Sequence, residues 1–335
     1  MGPNARYAGL LLGACAAVAS AQPRLDPGDQ ANKPAEIMPL AASTLLLDIA
    51  RAGDRLVTVG WRGDILLSDD LGVSWRQAES VPTRTMLTGV FFVDARDGWA
   101  VGHDETVLRT TDGGETWQRV YFAPQTQQPL LDLWFADRDH GIAIGAYDTY
   151  LTTSDGGLSW TSQKFAALPL AAATSEDEFA PDYHLNHIAA ANGKLYMAAE
   201  AGHLYRSDDG GRNWRTLPSP YDGSFYGLLP LEGDGLLAFG LRGNLWRSND
   251  AGLTWSQIET HTTAMLTDAV RLADGTIVVS GLSGVLLVRL AGSSGWTLQQ
   301  QADRKGIAAL APLSDHAVVA VGEAGVKRIV LGERP

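Results

Sequence analysis

The sequence predicts an all-β fold, a seven-bladed β-propeller, from three observations. First, a box of the form Ser/Thr-x-Asp-x-Gly-x-x-Trp occurs five times, ending at Trp75, Trp117, Trp160, Trp214 and Trp255. Second, the intervals between these tryptophans, continued to Trp296, are 42, 43, 54, 41 and 41 residues, the length of a four-stranded blade. Third, no stretch with the period of an amphipathic helix competes with this interpretation.

Each repeat is predicted to contain four strands in a fixed order. An apolar strand and a tight turn lead to a second strand, a Gly-x-x-Gly hairpin, a third strand, the box, and a strand that begins at the tryptophan. The second repeat shows the start of this order, with an apolar strand from Thr88 to Val93 and a second strand from Trp99. In later repeats the first turn carries Asn192-Gly193, Asp234-Gly235 and Asp274-Gly275, which are typical two-residue hairpins.

The last two repeats are incomplete. The sixth keeps Trp296 but has Ala291 in place of the box aspartate, and the seventh, from Gly322 to Val330, ends before any box. An open propeller would expose a strand edge. We therefore predict that residues 37–40 form an N-terminal strand that pairs with the seventh blade as its outer strand and closes the ring. Pro39 is tolerable in such an edge strand.

The N-terminus predicts export. Arg6, a short apolar run and Ala19-Ser-Ala21 are typical of a secretory signal peptide over residues 1–21, so the mature protein is expected in the periplasm. The only cysteine, Cys15, lies in a stretch that resembles a lipoprotein box, and a lipid anchor through Cys15 is the alternative to soluble export. Residues 22–36 are predicted to be a disordered leader, and residues 37–335 a single propeller domain.

Composition narrows the possible partners. The 335-residue chain has 45% hydrophobic residues, 19% charged residues and a net charge of −12. This acidity argues against nucleic acid or an anionic membrane surface as a partner. No Gly-rich phosphate loop stands between a strand and a helix, and no cofactor is predicted.

The repeated box is expected to be structural. Its aspartate accepts hydrogen bonds from its own turn, its glycine supplies positive φ, and its tryptophan fills the space between blades. A reaction needs one set of groups at one centre, whereas the boxes are distributed around a ring. Their aspartates, glycines and tryptophans are therefore not predicted as site residues.

The boxes resemble the Asp-boxes of bacterial sialidases and related propellers. The fuller pattern, in which an arginine precedes the box as in Arg109 to Trp117 and Arg206 to Trp214, resembles the photosystem II assembly and stability factor family. The resemblance spans about residues 37–332 and implies a seven-bladed propeller. In photosynthetic members the propeller binds a membrane protein precursor through an arginine-rich patch. The resemblance thus implies a non-catalytic, monomeric scaffold that binds a protein partner and assists a membrane protein complex.

The alternative function is a glycoside hydrolase of sialidase type. Such an enzyme needs an arginine triad, a tyrosine nucleophile with a glutamate partner, and an acid. Arg62, Arg84 and Arg242 are available, but the usual Arg-Ile-Pro signature is absent and no tyrosine–glutamate pair is evident. Only His184 and His187 have the spacing of metal ligands, and on a strand they would point to opposite faces. Neither an enzyme nor a metal site is predicted.

The predicted partner site lies on the face that carries the Gly-x-x-Gly hairpins. Their tips differ in sequence, and a long insertion at residues 162–187 reaches the same face, where we expect it to fold over the rim. The alternatives are that the tips are ordinary turn residues and that the insertion is disordered. The predicted partner-binding residues are Trp61, Arg62, Arg84, His103, Asp104, Tyr147, Phe179, Asp182, Tyr183, His184 and Arg242.

Overall fold

The computed structural model describes residues 31–169, 182–314 and 316–332, which contain 27 strands. Blade 1 comprises β1 (Leu46–Ala52), β2 (Arg55–Gly60), β3 (Ile65–Ser68) and β4 (Arg76–Gln77). Blade 2 comprises β5 (Leu87–Phe92), β6 (Gly98–Gly102), β7 (Thr106–Thr110) and β8 (Gln118–Tyr121). Blade 3 comprises β9 (Leu130–Phe135), β10 (Gly141–Gly145), β11 (Thr149–Thr153) and β12 (Thr161–Lys164).

The remaining blades follow the same order. Blade 4 comprises β13 (Leu185–Ala191), β14 (Lys194–Ala199), β15 (Leu204–Ser207) and β16 (Arg215–Thr216). Blade 5 comprises β17 (Phe225–Pro230), β18 (Leu236–Gly240), β19 (Leu245–Ser248) and β20 (Ser256–Ile258). Blade 6 comprises β21 (Leu266–Arg271), β22 (Ile277–Gly281), β23 (Val285–Arg289) and β24 (Thr297–Gln300). Blade 7 comprises β25 (Ile307–Ser314), β26 (Ala317–Gly322) and β27 (Gly325–Val330). Short 3-10 turns occupy Ala41–Ser43, Trp61–Gly63, Leu241–Gly243 and Leu282–Gly284.

These strands form the predicted seven-bladed propeller. Each sheet is antiparallel and pairs its strands in chain order, so the first strand of every blade is innermost. The innermost strands β1, β5, β9, β13, β17, β21 and β25 contact one another in succession, and β25 contacts β1. The all-β fold class is therefore confirmed.

Buried side chains lie between the blades. In the described part of the chain there are seven buried clusters, one at each blade interface. At the first interface, Leu67 of blade 1 packs with Leu108 and Trp117 of blade 2. Middle strands such as β6 and β10 are buried at every position because both of their faces contact a neighbouring blade. Each buried leucine contributes about 1.5–3 kcal/mol to this association.

The predicted closing strand is wrong. The sheet of blade 7 has three strands within the described residues, and residues 37–40 form no strand. Ile37 and Leu40 are instead 71% and 73% exposed. The ring closes at its inner strands, where Leu46 and Leu56 of blade 1 pack against apolar residues of blade 7 such as Val319. Among the described residues, this buried apolar contact and the contact between β25 and β1 join blade 7 to blade 1.

The N-terminal strap, defined here as residues 31–44, crosses three blades on one face of the ring. Arg119 of blade 2 donates to the carbonyl of Ala31, and further along the amide of Ala35 donates to the carbonyl of Val81. Ala42 then lies against Gly325 of blade 7. Residues 31–36, predicted as part of a disordered leader, thus have defined contacts. The predicted signal peptide and Cys15 lie outside the described residues.

The long insertion lies between β12 and β13 and is therefore shorter than the predicted 162–187. Phe165 packs against Tyr150 and Tyr205 between blades 3 and 4. Leu168 forms a parallel bridge with Arg215 of β16. Residues 170–181, which include Phe179, lie outside the described residues. None of the described helical segments is long and apolar enough to cross a membrane.

Candidate partner-binding face

The loops divide between two faces, as the sequence predicts. The hairpins between second and third strands contact the connectors between blades, and we call this side the hairpin face. The backbone contacts there include Trp61 to Leu45, His103 to Met86 and Glu323 to Gly306, with N–O distances of 2.9, 2.9 and 3.0 Å. The boxes and the first turns share the opposite side, the box face, where Gly113 donates to the carbonyl of Arg96 at 2.9 Å.

Hydrogen bonds within each box occupy its aspartate. In the third box, Asp155 accepts from the hydroxyl of Ser159 at 2.6 Å, from the amide of Ser159 at 2.9 Å and from the hydroxyl of Thr153 at 2.9 Å. These bonds, the Ser159 hydroxyl above all, lower the pKa of Asp155 to about 2. The indole of Trp160 donates to the carbonyl of Gly157 at 3.1 Å. The carboxylate is therefore committed to its own turn, as the sequence analysis expects.

The arginines that precede the boxes are also structural. The Arg109 guanidinium lies 5.8 Å from the ring centre of Trp99. Arg206 donates to the carbonyl of Ala251 in the next box at 3.3 Å. The indole of Trp99 likewise donates to the carbonyl of Gly156 in the next blade at 2.9 Å. Arg109 thus packs within blade 2, Trp99 joins blade 2 to blade 3, and Arg206 joins blade 4 to blade 5.

The hairpin tips place varied side chains in an unusual backbone conformation. Arg62, Asp104, Tyr147 and Arg242 have φ values of 56°, 57°, 56° and 55°, a region that favours glycine. Each turn is closed locally, as where the amide of Thr149 donates to the carbonyl of Ala146 at 3.1 Å. The Tyr147 side chain remains 53% exposed, and that of Trp61 47%. The tips are thus fixed backbones with accessible side chains.

Blade 1 brings two predicted arginines together. Arg84 Nη1 lies 2.8 Å from one carboxylate oxygen of Glu36, and Arg62 Nη2 lies 3.6 Å from the other. Arg84 also donates through Nε to the carbonyl of Pro34 at 2.8 Å. Glu36 was not predicted as a site residue, because its pairing with two arginines depends on the path of the strap. The two guanidinium groups thus flank one carboxylate, with one group near each of its oxygens.

Blades 3 and 4 bring together four predicted residues. Tyr147 packs edge-on to His184 with 5.0 Å between ring centres, and Tyr183 lies 4.1 Å from His203. Asp182 forms an ion pair with Lys164. The cluster also includes Glu200, whose carboxylate is 3.5 Å from His184 Nδ1. Sequence analysis missed Glu200 and His203 as site residues, although Glu200 stands at a variable hairpin tip.

The remaining predicted residues are separate. His103 and Asp104 form the tip of blade 2, where burial raises the pKa of Asp104. Arg242 lies on blade 5 beside a surface cavity of about 730 Å³ formed with residues 257–263. Phe179 lies outside the described residues. The predicted site is therefore a set of patches around the hairpin face and not one continuous cluster.

The three arginines considered for a sialidase site do not all lie on the same part of the ring. Arg62 and Arg84 pair with Glu36, while Arg242 is on blade 5. A tyrosine–glutamate pair does exist, since the Tyr121 hydroxyl donates to Glu105 at 3.2 Å. Burial and the Glu105 charge raise the pKa of Tyr121 to about 12, which is opposite to the need of a nucleophile. Tyr121 lies on β8, the outer strand of blade 2, and Glu105 lies in the hairpin between β6 and β7.

Metal ligands do not gather in residues 31–169, 182–314 or 316–332. No three His, Cys, Asp or Glu side chains there could hold a metal ion together. His184 precedes β13 and His187 lies within it, and the two have different neighbours. His184 faces Glu200, whereas His187 Nδ1 accepts from the amide of Leu228 at 3.4 Å in the central channel.

The central channel carries a ring of carboxylates that the sequence did not reveal. Asp48, Asp132 and Asp268 occupy the inner strands of blades 1, 3 and 6. Each accepts an amide of the next blade, at 2.7, 2.9 and 2.7 Å respectively. Burial raises the pKa of each carboxyl to about 7. The channel cavity they line has a volume of about 530 Å³.

Comparison with known proteins identifies relatives. The model of a family described as Photosynthesis system II assembly factor YCF48 matches residues 67–123 and 121–325. The photosystem II assembly protein Ycf48 of Thermosynechococcus vestitus is 35% identical over 141 residues, which are 42% of this chain and 38% of that protein. The chain thus matches under two fifths of the length of this curated relative.

Solved structures show the same fold. A structure described as YCF48 bound to D1 peptide aligns with a TM-score of 0.67 and 16% identity, covering 90% of this chain and 97% of that one. YCF48 from Cyanidioschyzon merolae aligns with a TM-score of 0.67 and 14% identity, covering 88% of this chain and 98% of that one. The WD40 propeller of Doa1 also gives 0.67, at 13% identity with 91% and 97% covered, so structural likeness shows the fold alone. The family model, by contrast, covers most of the sequence, and the chain therefore belongs to the photosynthesis system II assembly factor YCF48 family.

Proposed function

We propose that this protein is an exported, monomeric, non-catalytic scaffold that binds a protein partner through its hairpin face and assists a membrane protein complex. Membership of an assembly-factor family supports this role. A related structure described as YCF48 bound to D1 peptide supports a peptide or protein as the ligand. Export rests on the signal-like sequence of residues 1–21.

The observation that carries the proposal is the conformation of the hairpin tips. Arg62, Asp104, Tyr147 and Arg242 all adopt the left-handed region. A residue with a side chain costs about 1–2 kcal/mol more there than glycine. Two boxes also hold a non-glycine residue in this region, Leu71 and Ala251, but the boxes repeat their sequence, whereas the tip side chains differ from blade to blade. Varied and accessible side chains on one rigid face favour recognition over simple turn formation.

The same features argue for a non-catalytic role. The box aspartates are saturated by their own turns, as Asp155 shows. The most obvious nucleophile–base pair, Tyr121 with Glu105, has a raised tyrosine pKa. Turnover of any glycoside in a panel by the purified protein would overturn this part of the proposal. Loss of that turnover in Arg242→Ala would show that the hairpin face holds the active site.

The test compares the two faces. A variant with Trp61→Ala, Tyr147→Ala and Arg242→Ala removes anchors from three hairpins. Its matched control carries Val73→Ser, Leu158→Ser and Leu253→Ser, which removes exposed apolar side chains from three boxes. The full-length proteins are photo-crosslinked in native membranes, and the crosslinked membrane protein is identified by mass spectrometry.

We expect the hairpin-face variant to lose at least about tenfold in crosslinking yield, because anchors typically contribute about 2 kcal/mol each. The control should crosslink like the wild type, and both variants should keep the wild-type melting temperature. Loss confined to the control would place the site on the box face. Crosslinking to no membrane protein by any of the three proteins would contradict the scaffold function.

Export has its own measurement. N-terminal sequencing of the protein from its native cells should begin at Gln22 if the signal peptide is cleaved after Ala21. A lipidated first residue at Cys15 would replace soluble export with a membrane anchor. An intact Met1 would contradict export.

A further inference from the structure

The residues beneath the start of the strap bind it mainly through its backbone. Arg119 donates through Nη1 to the carbonyl of Ala31 at 2.8 Å, and the carbonyl of Val81 accepts from the amide of Ala35 at 2.9 Å. Arg84 donates to the carbonyl of Pro34 at 2.8 Å. Contacts to main-chain groups do not depend on the sequence that supplies them. A different extended segment could therefore make the same bonds.

Gln77 adds a further pair of backbone contacts. Its side-chain amide donates to the carbonyl of Glu36 at 2.9 Å and accepts from the amide of Met38 at 2.5 Å. One glutamine side chain thus imitates the two hydrogen bonds of a neighbouring β-strand. This is the pairing by which extended peptides are commonly bound.

Three features do select a sequence, and the first is the bond from Arg119 Nη2 to the side-chain oxygen of Asn32 at 2.9 Å, which favours an acceptor side chain there. The Glu36 carboxylate lies between Arg84 and Arg62 at 2.8 and 3.6 Å, so an acidic side chain is favoured at this position. Ala31 is completely buried, so only a small residue fits five positions before the acid. The Arg119 guanidinium is held in place by stacking over Phe122 at 4.3 Å. The receiving side chains are therefore ordered around a short, extended, acidic segment.

We propose that Arg62, Gln77, Val81, Arg84 and Arg119 form a binding site for an extended acidic peptide segment of the partner, which residues 31–38 occupy in cis. This inference rests on the proposed function and specifies the chemistry of the partner. The strap then regulates docking, because a partner segment must displace it. A tethered segment has an effective concentration of about millimolar, so only a comparable local concentration or a better fit displaces it.

The test uses the chain's own segment as the probe. The probe is a fluorescein-labelled peptide with the sequence of residues 31–38, added to the full-length protein and followed by fluorescence anisotropy. In a variant with Ala31→Arg and Glu36→Lys the tethered segment no longer fits, because Ala31 has no free space and the new lysine meets two arginines. If this double variant does not fold, Glu36→Lys alone provides the same comparison.

We expect the peptide to bind the freed variant at least about tenfold more tightly than the wild type, whose site is occupied in cis. Adding Arg84→Ala to the freed variant, or replacing the peptide's glutamate by lysine, should each weaken binding about tenfold or more. Equal binding to wild type and freed variant, or no binding to either, would overturn the inference. That result would leave the crosslinking test of the proposed function unaffected, since that test depends on Trp61, Tyr147 and Arg242.

Discussion

Single residues in the boxes join one blade to the next, and Gly157 is the clearest example. Its φ is +82°, and a Cβ atom built there would lie 2.9 Å from Nε1 of Trp99 in blade 2. We expect Gly157→Ala to lower the free energy of unfolding by about 2–4 kcal/mol, combining backbone strain with overpacking. Urea denaturation of the variant and the wild type measures this difference.

Gly210 provides the matched control. It lies in the fourth box with φ +74°, but a Cβ atom there would have nothing within 4 Å. Gly210→Ala should therefore cost only the backbone strain, about 1–2 kcal/mol. Equal losses for the two variants would contradict the role of the contact with Trp99.

The box aspartates predict how stability responds to acid. Hydrogen bonds within the boxes, first among them the bond from the side chain four residues on, hold the pKa of Asp70, Asp155, Asp209 and Asp250 at about 2, below the usual 3.8. A lowered folded-state pKa gives stability that is present above pH 4 and is lost as the pH falls from about 4 to 2. Replacing Asp70, Asp155 and Asp250 by Asn should reduce this loss of stability at low pH. Urea denaturation curves measured at several pH values from 2 to 5 give the slope of stability against pH. An unchanged slope would mean that the boxes do not control acid unfolding.

At the scale of strands and loops, the sequence predicts those features that depend only on residues within one repeat. The order of strands and the position of the box follow from patterns within one repeat, as from Thr88 to Trp117. The two faces follow from that order. The path of the strap does not, because Glu36 meets Arg62 and Arg84 only after the ring has formed. The carboxylate of Asp48 likewise meets the amide of Val90 only across a blade interface.

The strap also makes a testable contribution to stability. A chain that begins at Thr44 loses six hydrogen bonds of the strap to Gln77, Val81, Arg84 and Arg119 and the contact of Ala42 with Gly325. We expect it to be less stable by about 3 kcal/mol, at about 0.5 kcal/mol for each of these largely exposed hydrogen bonds, with its β-sheet content unchanged. Urea denaturation and circular dichroism measure the two quantities.

A chain that begins at Ile37 separates the two parts of the strap. It keeps the contacts of residues 38–43, including the bond from the Met38 amide to Gln77 at 2.5 Å and the contact of Ala42 with Gly325, and should be more stable than the chain that begins at Thr44. If both shortened chains unfold at the same urea concentration as the wild type, the strap contributes nothing to stability. Loss of the sheet signal in either chain would contradict closure by the inner strands.

At the scale of the whole molecule, the ring concentrates like charges around its axis. Asp268 faces Asp48 and His187 across the channel, and its carboxylate accepts the amides of Leu310 and Ala269. Burial has the largest influence on the pKa of Asp268 and raises it. The hydrogen bond from the amide of Leu310 comes next and lowers the pKa, and repulsion from Asp48 follows and raises it. Asp48, Asp132 and Asp268 thus hold protons more tightly in the folded ring than in the unfolded chain. These carboxyl groups come close to one another only because the seven repeats form a closed ring.

This arrangement predicts a stability that falls as the pH rises. A carboxyl whose folded pKa is about 7, above its unfolded value of 3.8, favours the folded state at low pH and loses that advantage between about pH 4 and 7. Asp268→Asn removes this titration and keeps one oxygen for the amide of Leu310. Its stability relative to the wild type should therefore rise by about 1–2 kcal/mol between pH 5 and 8, since water in the channel screens part of the full effect.

The control for this prediction is Asp274→Asn in the same blade. Asp274 lies in an exposed turn, where the amide of Thr276 lowers its pKa, so its replacement should bring no gain between pH 5 and 8. Urea denaturation at four pH values across this range measures both variants. A constant difference between Asp268→Asn and the wild type at every pH would mean that the amides keep Asp268 ionised throughout. The ring of carboxylates would then act as a set of fixed hydrogen-bond acceptors that join the blades, without proton-linked stability.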